Sequence, residues 1–278
     1  MFRLHKVYRQ HPALQELVNN IVIQQVELDA GSPLPIFPMP PIQEQAIFFY
    51  PHDPVVIRTE TGELVHLPNS AVVARRIQKI DVEIGYRHLV VKIGLQPGAL
   101  YRLSGIPLNE WGSDTEVNPS ALWLDNQMGL VSEQLSEAAR PEDMVAIVHQ
   151  WLFSRLSKLK TELPIDKVLP AFLSSQTPEN VSQIASLSCV SIRQLERLYQ
   201  QRIGLTPKFY ARLVRFTKAW IMREAIPAIN WTSLAHSCGY FDQMHLIRDF
   251  KQFGGATPTE IQKQLEQLPV SLQHEVFY

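Results

Sequence analysis

The chain has little of several features that would point to particular classes of protein. Among its 278 residues there are only two cysteines, Cys189 and Cys238, which excludes a scaffold held together by disulfides. We expect both to be small buried residues in a reducing compartment. No apolar run is long enough to span a membrane, and residues 1–6 lack the apolar core of a signal peptide. These absences predict a cytoplasmic protein that does not enter the membrane.

Signatures of catalysis are missing as well. The sequence has no phosphate-binding loop, no dinucleotide-binding glycine motif and no nucleophile elbow. His52, His66 and His88 are scattered, and no two of them have the spacing that a metal site on one element requires. We therefore predict that the protein is not an enzyme and holds no metal or cofactor.

What the chain does contain is a motif written twice between residues 184 and 258. The second copy has one extra residue in its middle, and once this insertion is allowed for, residues of the same kind recur at a set of equivalent positions. Two copies are too few for a solenoid, so we interpret the repeat as a duplicated module. The equivalent positions are Ala185 and Ala235, Ser191 and Asp242, Leu195 and Leu246, Arg197 and Arg248, Tyr199 and Phe250, Gly204 and Gly255, and Pro207 and Pro258.

Each copy has the pattern of a short helix, a tight turn and a second helix. Ser191 and Asp242 stand where the second helix needs a cap, because their side-chain oxygens can accept a hydrogen bond from an orphan backbone N–H. Beyond each cap, apolar residues recur in steps of three and four, which predicts second helices over residues 191–203 and 242–253. This layout is typical of helix-turn-helix units, whose second helix enters the major groove of DNA.

The two copies resemble the tandem helix-turn-helix domain of AraC/XylS-type transcriptional regulators. The second copy, Gly239 to Pro258, is close to that family's signature, and we assign residues 165–268 to the domain. The resemblance implies a sequence-specific regulator that binds double-stranded DNA with two recognition helices per chain, in successive major grooves. It also implies a homodimer and, for an activator, a contact with RNA polymerase.

The exposed faces of the two predicted recognition helices carry the candidate DNA contacts. The resemblance places base contacts at Arg193 and Arg197, and arginine can bind guanine through O6 and N7. Met244 is expected to touch a thymine methyl group instead of forming a hydrogen bond. The candidates for base contact are Arg193, Gln194, Arg197, Gln243, Met244 and Arg248, and those for phosphate contact are Ser191, Arg215, Asp242, His245 and Lys251.

The distribution of charge is more informative than its sum. The net charge of −1 by itself argues against a nucleic-acid binder. The stretch from Ser191 to Glu224, however, has eight basic residues and only two acids, Glu196 and Glu224. A local basic stretch on a helix-turn-helix is the footprint expected for phosphate contact, and the alternative is a solvated surface.

Residues 1–160 have the pattern of a β-rich domain, either a cupin-like barrel or a sandwich, followed by helices. Short β-branched runs such as Ala71–Val73 alternate with turn clusters, and Leu89–Leu95 alternates at period two, which predicts a half-buried antiparallel strand. Five prolines from Pro33 to Pro41 predict a break in regular structure. The fold class is thus α+β with two domains, the second being all helical.

Two helices are predicted after the strands and a short closing segment, Pro97–Gly105, which resembles one found in some AraC-type regulators. The first spans Ala121–Ala139 and the second begins at Pro141. In the second helix, Val145, Val148, Leu152, Leu156 and Leu159 form a seam of coiled-coil type. Two interpretations are open: these helices cover the open side of the β-rich domain, or one of them forms a dimer interface.

Polar residues in or beside the predicted strands are candidates for an effector site. These are Arg75, Arg76, Tyr86, Arg87 and His88. If they point into the interior, they can bind an anionic small molecule that controls the regulator. The alternative is that they face solvent and that the domain is a metal-free module that dimerises or binds another protein.

Overall fold

The computed structural model describes residues 2–59, 62–111, 118–119, 127–174 and 181–265. Within these ranges the first half is built mainly of strands and the second half of helices. The strands are β1 (Phe2–Tyr8), β2 (Val18–Glu27), β3 (Ile36–Met39), β4 (Gln45–Phe49), β5 (Val56–Arg58), β6 (Leu64–His66), β7 (Ser70–Val73), β8 (Ile80–Glu83), β9 (Arg87–Leu95) and β10 (Asn118–Pro119). The helices are α1 (Ala99–Ser104), α2 (Gln127–Glu137), α3 (Pro141–Phe153), α4 (Pro164–Ser174), α5 (Val181–Leu187), α6 (Ile192–Ile203), α7 (Pro207–Ala225), α8 (Trp231–Ser237), α9 (Gln243–Gly254) and α10 (Pro258–Leu265).

The described strands form two antiparallel sheets. One has the order β1-β2-β9-β4-β7-β10 and the other the order β3-β8-β5-β6. One core lies between the larger sheet and helices α1 to α3, and smaller apolar clusters line the space between the two sheets. The β-rich first half is therefore confirmed as a sandwich, followed by helices and then by an all-helical second half.

Strand β9 corrects one prediction from the sequence. Its alternating pattern predicts a half-buried strand, but every residue from His88 to Leu95 is buried. The reason is its place in the middle of the larger sheet, between β2 and β4. Helices cover one face of that sheet and the second sheet covers the other, so neither face of β9 meets water.

The proline-rich segment corrects a second prediction. A break in regular structure is expected there, but β3 runs through it and pairs with β8, with Pro38 opposite Asp81. Strand β3 is the edge strand of the smaller sheet. A proline is tolerated at an edge because the missing N–H can lie on the side that has no neighbouring strand.

The two helices after the strands pack onto the larger sheet. Helix α2 begins at Gln127, and the earlier part of the predicted Ala121–Ala139 helix lies outside the described residues. In α3, Val148 and Leu152 are fully buried in the same core as the sheet, and the Trp151 ring packs edge-on against Phe49. Helix α3 ends at Phe153, so Leu156 and Leu159 of the predicted seam lie beyond it. The part of the seam that lies on α3 packs on the sheet, as in the first of the two interpretations.

The second half folds around the long helix α7. The Phe216 ring lies 5.1 Å from that of Phe250 and 5.2 Å from that of Phe253, both on α9, and Trp220 stacks on Phe250. The apolar residues at equivalent positions of the two copies are buried in this core, namely Ala185 and Ala235, Leu195 and Leu246, and Tyr199 and Phe250. No helix in the described ranges is long and apolar enough to cross a membrane.

Burial at the end of α7 makes stability depend on pH. Trp220 donates a hydrogen bond to the Glu224 carboxylate at 3.0 Å, yet burial raises the pKa of Glu224 to about 7. The folded protein therefore binds a proton more readily than the unfolded chain does. Protonation of Glu224 should thus stabilise the fold as the pH falls from about 7 toward the ordinary carboxyl pKa.

We expect the thermal midpoint of the wild type, relative to that of Glu224→Gln, to rise as the pH is lowered through this window. The measurement is a series of melts between about pH 8 and pH 5. Glu196→Gln, on an exposed face of α6, is the matched control and should show no such trend. A difference between wild type and Glu224→Gln that stays constant with pH would contradict the prediction.

Candidate functional site

The two repeats fold into turns of the same backbone geometry. The amides of Ser188 and Cys238 donate to the carbonyl oxygens of Ile184 and Leu234, at 2.9 and 3.0 Å. Two residues further on, the amides of Val190 and Tyr240 donate to Ala185 and Ala235, both at 2.9 Å. Each turn is thus closed by the same pair of hydrogen bonds, and each joins two short helices.

The residue between those two amides has positive φ in both turns. It is Gly239 in the second unit, with φ of 76°, and Cys189 in the first, with φ of 54°. A non-glycine residue is uncommon in that region of backbone conformation. The expectation that both cysteines are buried is wrong for Cys189, which is exposed because the turn faces solvent, whereas Cys238 is buried.

Each second helix begins with the cap that the sequence predicts. The Ser191 hydroxyl accepts from the Gln194 amide at 3.3 Å, and the Gln194 side-chain oxygen accepts from the Ser191 amide at 2.9 Å. In the second unit, Asp242 accepts from the His245 amide at 2.8 Å, and this bond lowers the pKa of Asp242. Three candidate contacts, Ser191, Gln194 and Asp242, therefore also have a structural role in the caps.

The remaining candidates for base contact lie on the solvent-facing sides of α6 and α9. Arg193, Arg197 and Arg248 are exposed, and Met244 is 57% exposed. The Gln243 side-chain oxygen accepts from the Thr232 hydroxyl at 3.3 Å, which ties the start of α9 to α8. Both helices thus present polar and basic side chains to solvent, beyond their caps.

The candidates for phosphate contact differ in their surroundings. Lys251 is exposed, whereas the half-buried Arg215 guanidinium lies 5.3 Å from the centre of the Tyr240 ring. The His245 ring nitrogen lies 2.9 Å from the Asp242 carboxylate, so His245 supports the cap as well.

Fewer arginines of the basic stretch are available at the surface than the sequence indicates. Arg202 is buried, and Arg212 donates to the carboxylate of Asp249 at 2.6 Å. Arg223 bonds to the carbonyl oxygen of Ile229 and to Gln262. These three arginines hold the helices together, because their partners come from other elements that pack around α7.

A cavity of about 650 Å³, its open mouth included, lies between the two sheets of the sandwich. Most of the surface that lines it is apolar. Its polar lining residues include Gln24, Tyr50, Arg76 and His88. Within the described part of the chain, Nε of Arg76 and Nδ1 of His88 have no hydrogen-bond partner, although both are buried.

Burial determines the charges in this cavity. It lowers the pKa of His88 to about 4, so this ring is neutral near pH 7. It lowers the pKa of Arg76 to about 10, which still leaves the guanidinium charged. Arg76 is therefore a buried cation in an apolar pocket, a state that an anionic group of a ligand would stabilise.

The other three effector candidates do not line the cavity. Tyr86 donates its hydroxyl to the carbonyl oxygen of Ser32 at 3.0 Å, and Arg87 is exposed. Arg75 points away from Arg76 because neighbouring residues of extended chain face opposite sides. Its guanidinium donates to the carbonyl oxygen of Gly204 at 2.9 Å. Of the five effector candidates, this cavity therefore brings together only Arg76 and His88.

Arg75 belongs to a contact between the sandwich and the end of α6, which we call the interdomain contact. Besides the bond from Arg75 to Gly204, the Gln45 side-chain amide donates to the carbonyl oxygen of Arg202 at 2.9 Å. Gln201 donates to the Tyr101 hydroxyl at 2.9 Å. All three bonds join the end of α6 to residues of the first half. The repeat does not predict them, because their partners lie outside it.

A buried ion pair stands at the centre of the interdomain contact. Arg202 donates to the Asp166 carboxylate at 2.6 Å, and both side chains are almost fully buried, with 2% and 3% of their surface exposed. The Arg202 guanidinium also lies 4.8 Å from the centre of the Tyr101 ring. One side chain thus joins α4, α6 and the sandwich helix α1.

Removing one partner of this pair should be costly. Asp166→Asn leaves the Arg202 charge buried without a counter-charge, and we expect a loss of about 3–5 kcal/mol in the free energy of unfolding. Urea denaturation measures it. The matched control is Asp143→Asn, which removes the partner of Arg140 in an exposed ion pair and should cost much less. Equal losses in the two variants would contradict this account.

Two helix-turn-helix units joined by one long helix, each with an exposed polar second helix, define a DNA-binding domain of tandem helix-turn-helix type. Residues 184–264 match the family described as helix-turn-helix domain. This part of the chain is similar to the helix-turn-helix domains of AraC/XylS-type transcriptional regulators.

The curated relatives are regulators. The transcriptional activator RhaS from Escherichia fergusonii is 35% identical over 98 residues, which is 34% of this chain and 34% of that protein. RhaS from Pectobacterium carotovorum is 24% identical over 183 residues, or 62% of this chain and 61% of that protein. The matches thus span between about a third and three fifths of the length of these relatives. Apo ToxT from Vibrio cholerae covers 88% of this chain and 97% of its own, at 12% identity and a TM-score of 0.48.

Proposed function

We propose that the protein is a sequence-specific transcription regulator that binds double-stranded DNA through both helix-turn-helix units. In this proposal residues 165–268 form the DNA-binding domain and residues 1–160 form a sensing domain. The observation that carries it is the pair of capped, solvent-facing second helices joined by α7. The 19 residues of α7 span about 28 Å, close to the spacing of successive major grooves, about 34 Å.

The two recognition helices differ in what they offer to bases. Arg193 and Arg197 on α6 suit guanine, whereas Gln243 on α9 suits adenine and Met244 suits a thymine methyl group. Arg248 on α9 is a further candidate for base contact. Lys251 and Arg215 are assigned to phosphates, which orient the protein but carry no sequence information.

Arg197→Ala and Gln243→Ala should each relax one part of the target site. Each substitution removes a base contact worth about 1–3 kcal/mol, so affinity for the wild-type site should fall by about 5- to 150-fold. The measurement is selection of bound duplexes from a random pool, followed by binding isotherms.

Lys251→Ala serves as the comparison variant. If Lys251 contacts a phosphate, Lys251→Ala should weaken binding to all sequences alike and make the affinity less dependent on salt concentration. The proposal is overturned if wild-type protein selects no motif. It is also overturned if Arg197→Ala and Gln243→Ala leave the selected motif unchanged.

We further propose that a small effector with an anionic group and an apolar body occupies the cavity between the sheets. The support is a single buried guanidinium, Arg76, in a mostly apolar lining with the neutral His88 near it. A carboxylate would supply the acceptor that Nε of Arg76 lacks among the described residues. The competing proposal is a sandwich that only dimerises or binds a protein, without any effector.

The route from the cavity to DNA would be short. Arg76 lines the cavity, and the adjacent Arg75 holds the end of α6 through Gly204. A ligand that shifts Arg76 would therefore act on α6 through the preceding residue, Arg75.

Arg76→Met should abolish binding of the effector. The test uses thermal melts with a panel of alkyl and aromatic carboxylates, each paired with the alcohol of the same carbon skeleton. A carboxylate that binds should raise the wild-type midpoint by mass action, whereas its alcohol should not.

Arg87→Ala, an exposed neighbour, should respond as the wild type does. If no carboxylate raises the wild-type midpoint, or if one raises that of Arg76→Met equally, the competing proposal is favoured.

A further inference from the structure

Phe241 is the one residue by which the two turns differ in length. The closing hydrogen bonds pair Val190 with Tyr240, yet the caps that follow are Ser191 and Asp242. The additional residue in the second unit is therefore Phe241, which stands between the turn and the cap. It has no counterpart in the first unit.

The side chain of Phe241 makes this insertion unusual. It is 93% exposed, the most exposed of the large apolar residues that the structure describes. Its ring meets only the edge of the His245 ring in the aromatic contacts described, at 6.2 Å between centres. It therefore adds little to the core, and stability does not explain a phenylalanine at this place.

The position of Phe241 puts it at the reading end of α9. It directly precedes the cap residue Asp242, and two residues beyond the cap lies the exposed Met244. In helix-turn-helix proteins the first residues of the second helix contact the edges of the bases. An exposed aromatic ring and an exposed thioether thus flank the start of this helix. In the first unit, Arg193 stands at the position of Met244, and Phe241 has no equivalent.

We propose that Phe241 is a specificity-determining residue that binds thymine methyl groups in the major groove, together with Met244. The methyl is the only apolar group that base edges present in this groove, and phenylalanine is among the side chains that contact it. DNA is the chosen occupant because the residue is continuous with the helix face proposed to read DNA. The inference thus rests on the proposed function.

The two units then read by different chemistry. Arginines on α6 recognise hydrogen-bond acceptors of guanine, and the apolar pair on α9 recognises methyl groups beside whatever base Gln243 contacts. The prediction is a target site whose half bound by α9 is rich in thymine.

The test replaces single thymines by uracil, which removes the methyl group and leaves every hydrogen-bonding atom in place. In the site selected by the full-length wild type, each thymine of the α9 half is replaced in turn. Wild-type affinity should fall by about fourfold for each methyl that Phe241 or Met244 covers. Phe241→Ser should bind the thymine and uracil duplexes equally at one position at least, and Phe241→Leu should keep part of the difference.

Controls separate this role from others. Leu64→Ser, which removes an exposed apolar side chain from β6 of the sandwich, should keep the wild-type uracil profile. Thermal midpoints should be unchanged in Phe241→Ser, because the ring is exposed. A Phe241→Ser profile identical to that of the wild type overturns the inference, and so does a loss of affinity that is equal for all duplexes, which marks a contact to the sugar–phosphate backbone. If the wild type selects no motif at all, the proposed function fails first.

Discussion

The buried ion pair between Asp166 and Arg202 joins α4 to α6 within the helical half, and its packing against Tyr101 ties that half to the sandwich. Arg202 lies in the last turn of α6, and Asp166 lies in the first turn of α4. Two buried charges are stable only when paired, so the two helices must stay together or bury an isolated charge. Gln45 and Arg75 add direct bonds from the sandwich to the same turn of α6. The orientation of the first helix-turn-helix unit is thereby tied to the domain that contains the cavity.

This constraint makes the duplicated domain asymmetric. In the first unit, the end of α6 is bonded to the sandwich, and Arg193 and Arg197 are exposed to solvent. The second unit is held through the aromatic core of α7 and α9, and it carries the inserted Phe241 in front of its cap. The two units therefore share a backbone geometry but differ in their surroundings: the sandwich contacts the end of α6, and an exposed phenylalanine precedes the cap of α9.

The cavity and the contact with α6 are connected through two adjacent arginines. Arg76 and Arg75 are neighbours in the chain and face opposite sides, so one enters the cavity and the other reaches Gly204. Gly204 adopts a φ of 79°, which ends α6 with a left-handed residue. A Cβ at this position would lie 3.2 Å from the Arg75 side chain and 3.3 Å from the carbonyl oxygen of Leu108. Both the left-handed backbone and these short distances favour glycine at position 204.

The sequence alone determined the local features of the DNA-binding half, because they depend on neighbours along the chain. The caps at Ser191 and Asp242 and the buried apolar faces follow from helical periodicity and short-range hydrogen bonds. The β-rich character of the first half was accessible in the same way. The alternation in its central strand β9 predicts one exposed face, although both faces are buried, because alternation does not reveal what covers each face of a sheet.

Only the tertiary structure decided which polar residues are functional surface and which hold the fold. Arg202 and Arg212 look like the other arginines of the basic stretch, but acids far away in the sequence, Asp166 and Asp249, neutralise them. Arg75 and Arg76 are equivalent as letters and are separated only by the face that each presents. These assignments depend on long-range contacts between elements, and no local pattern in the chain encodes them.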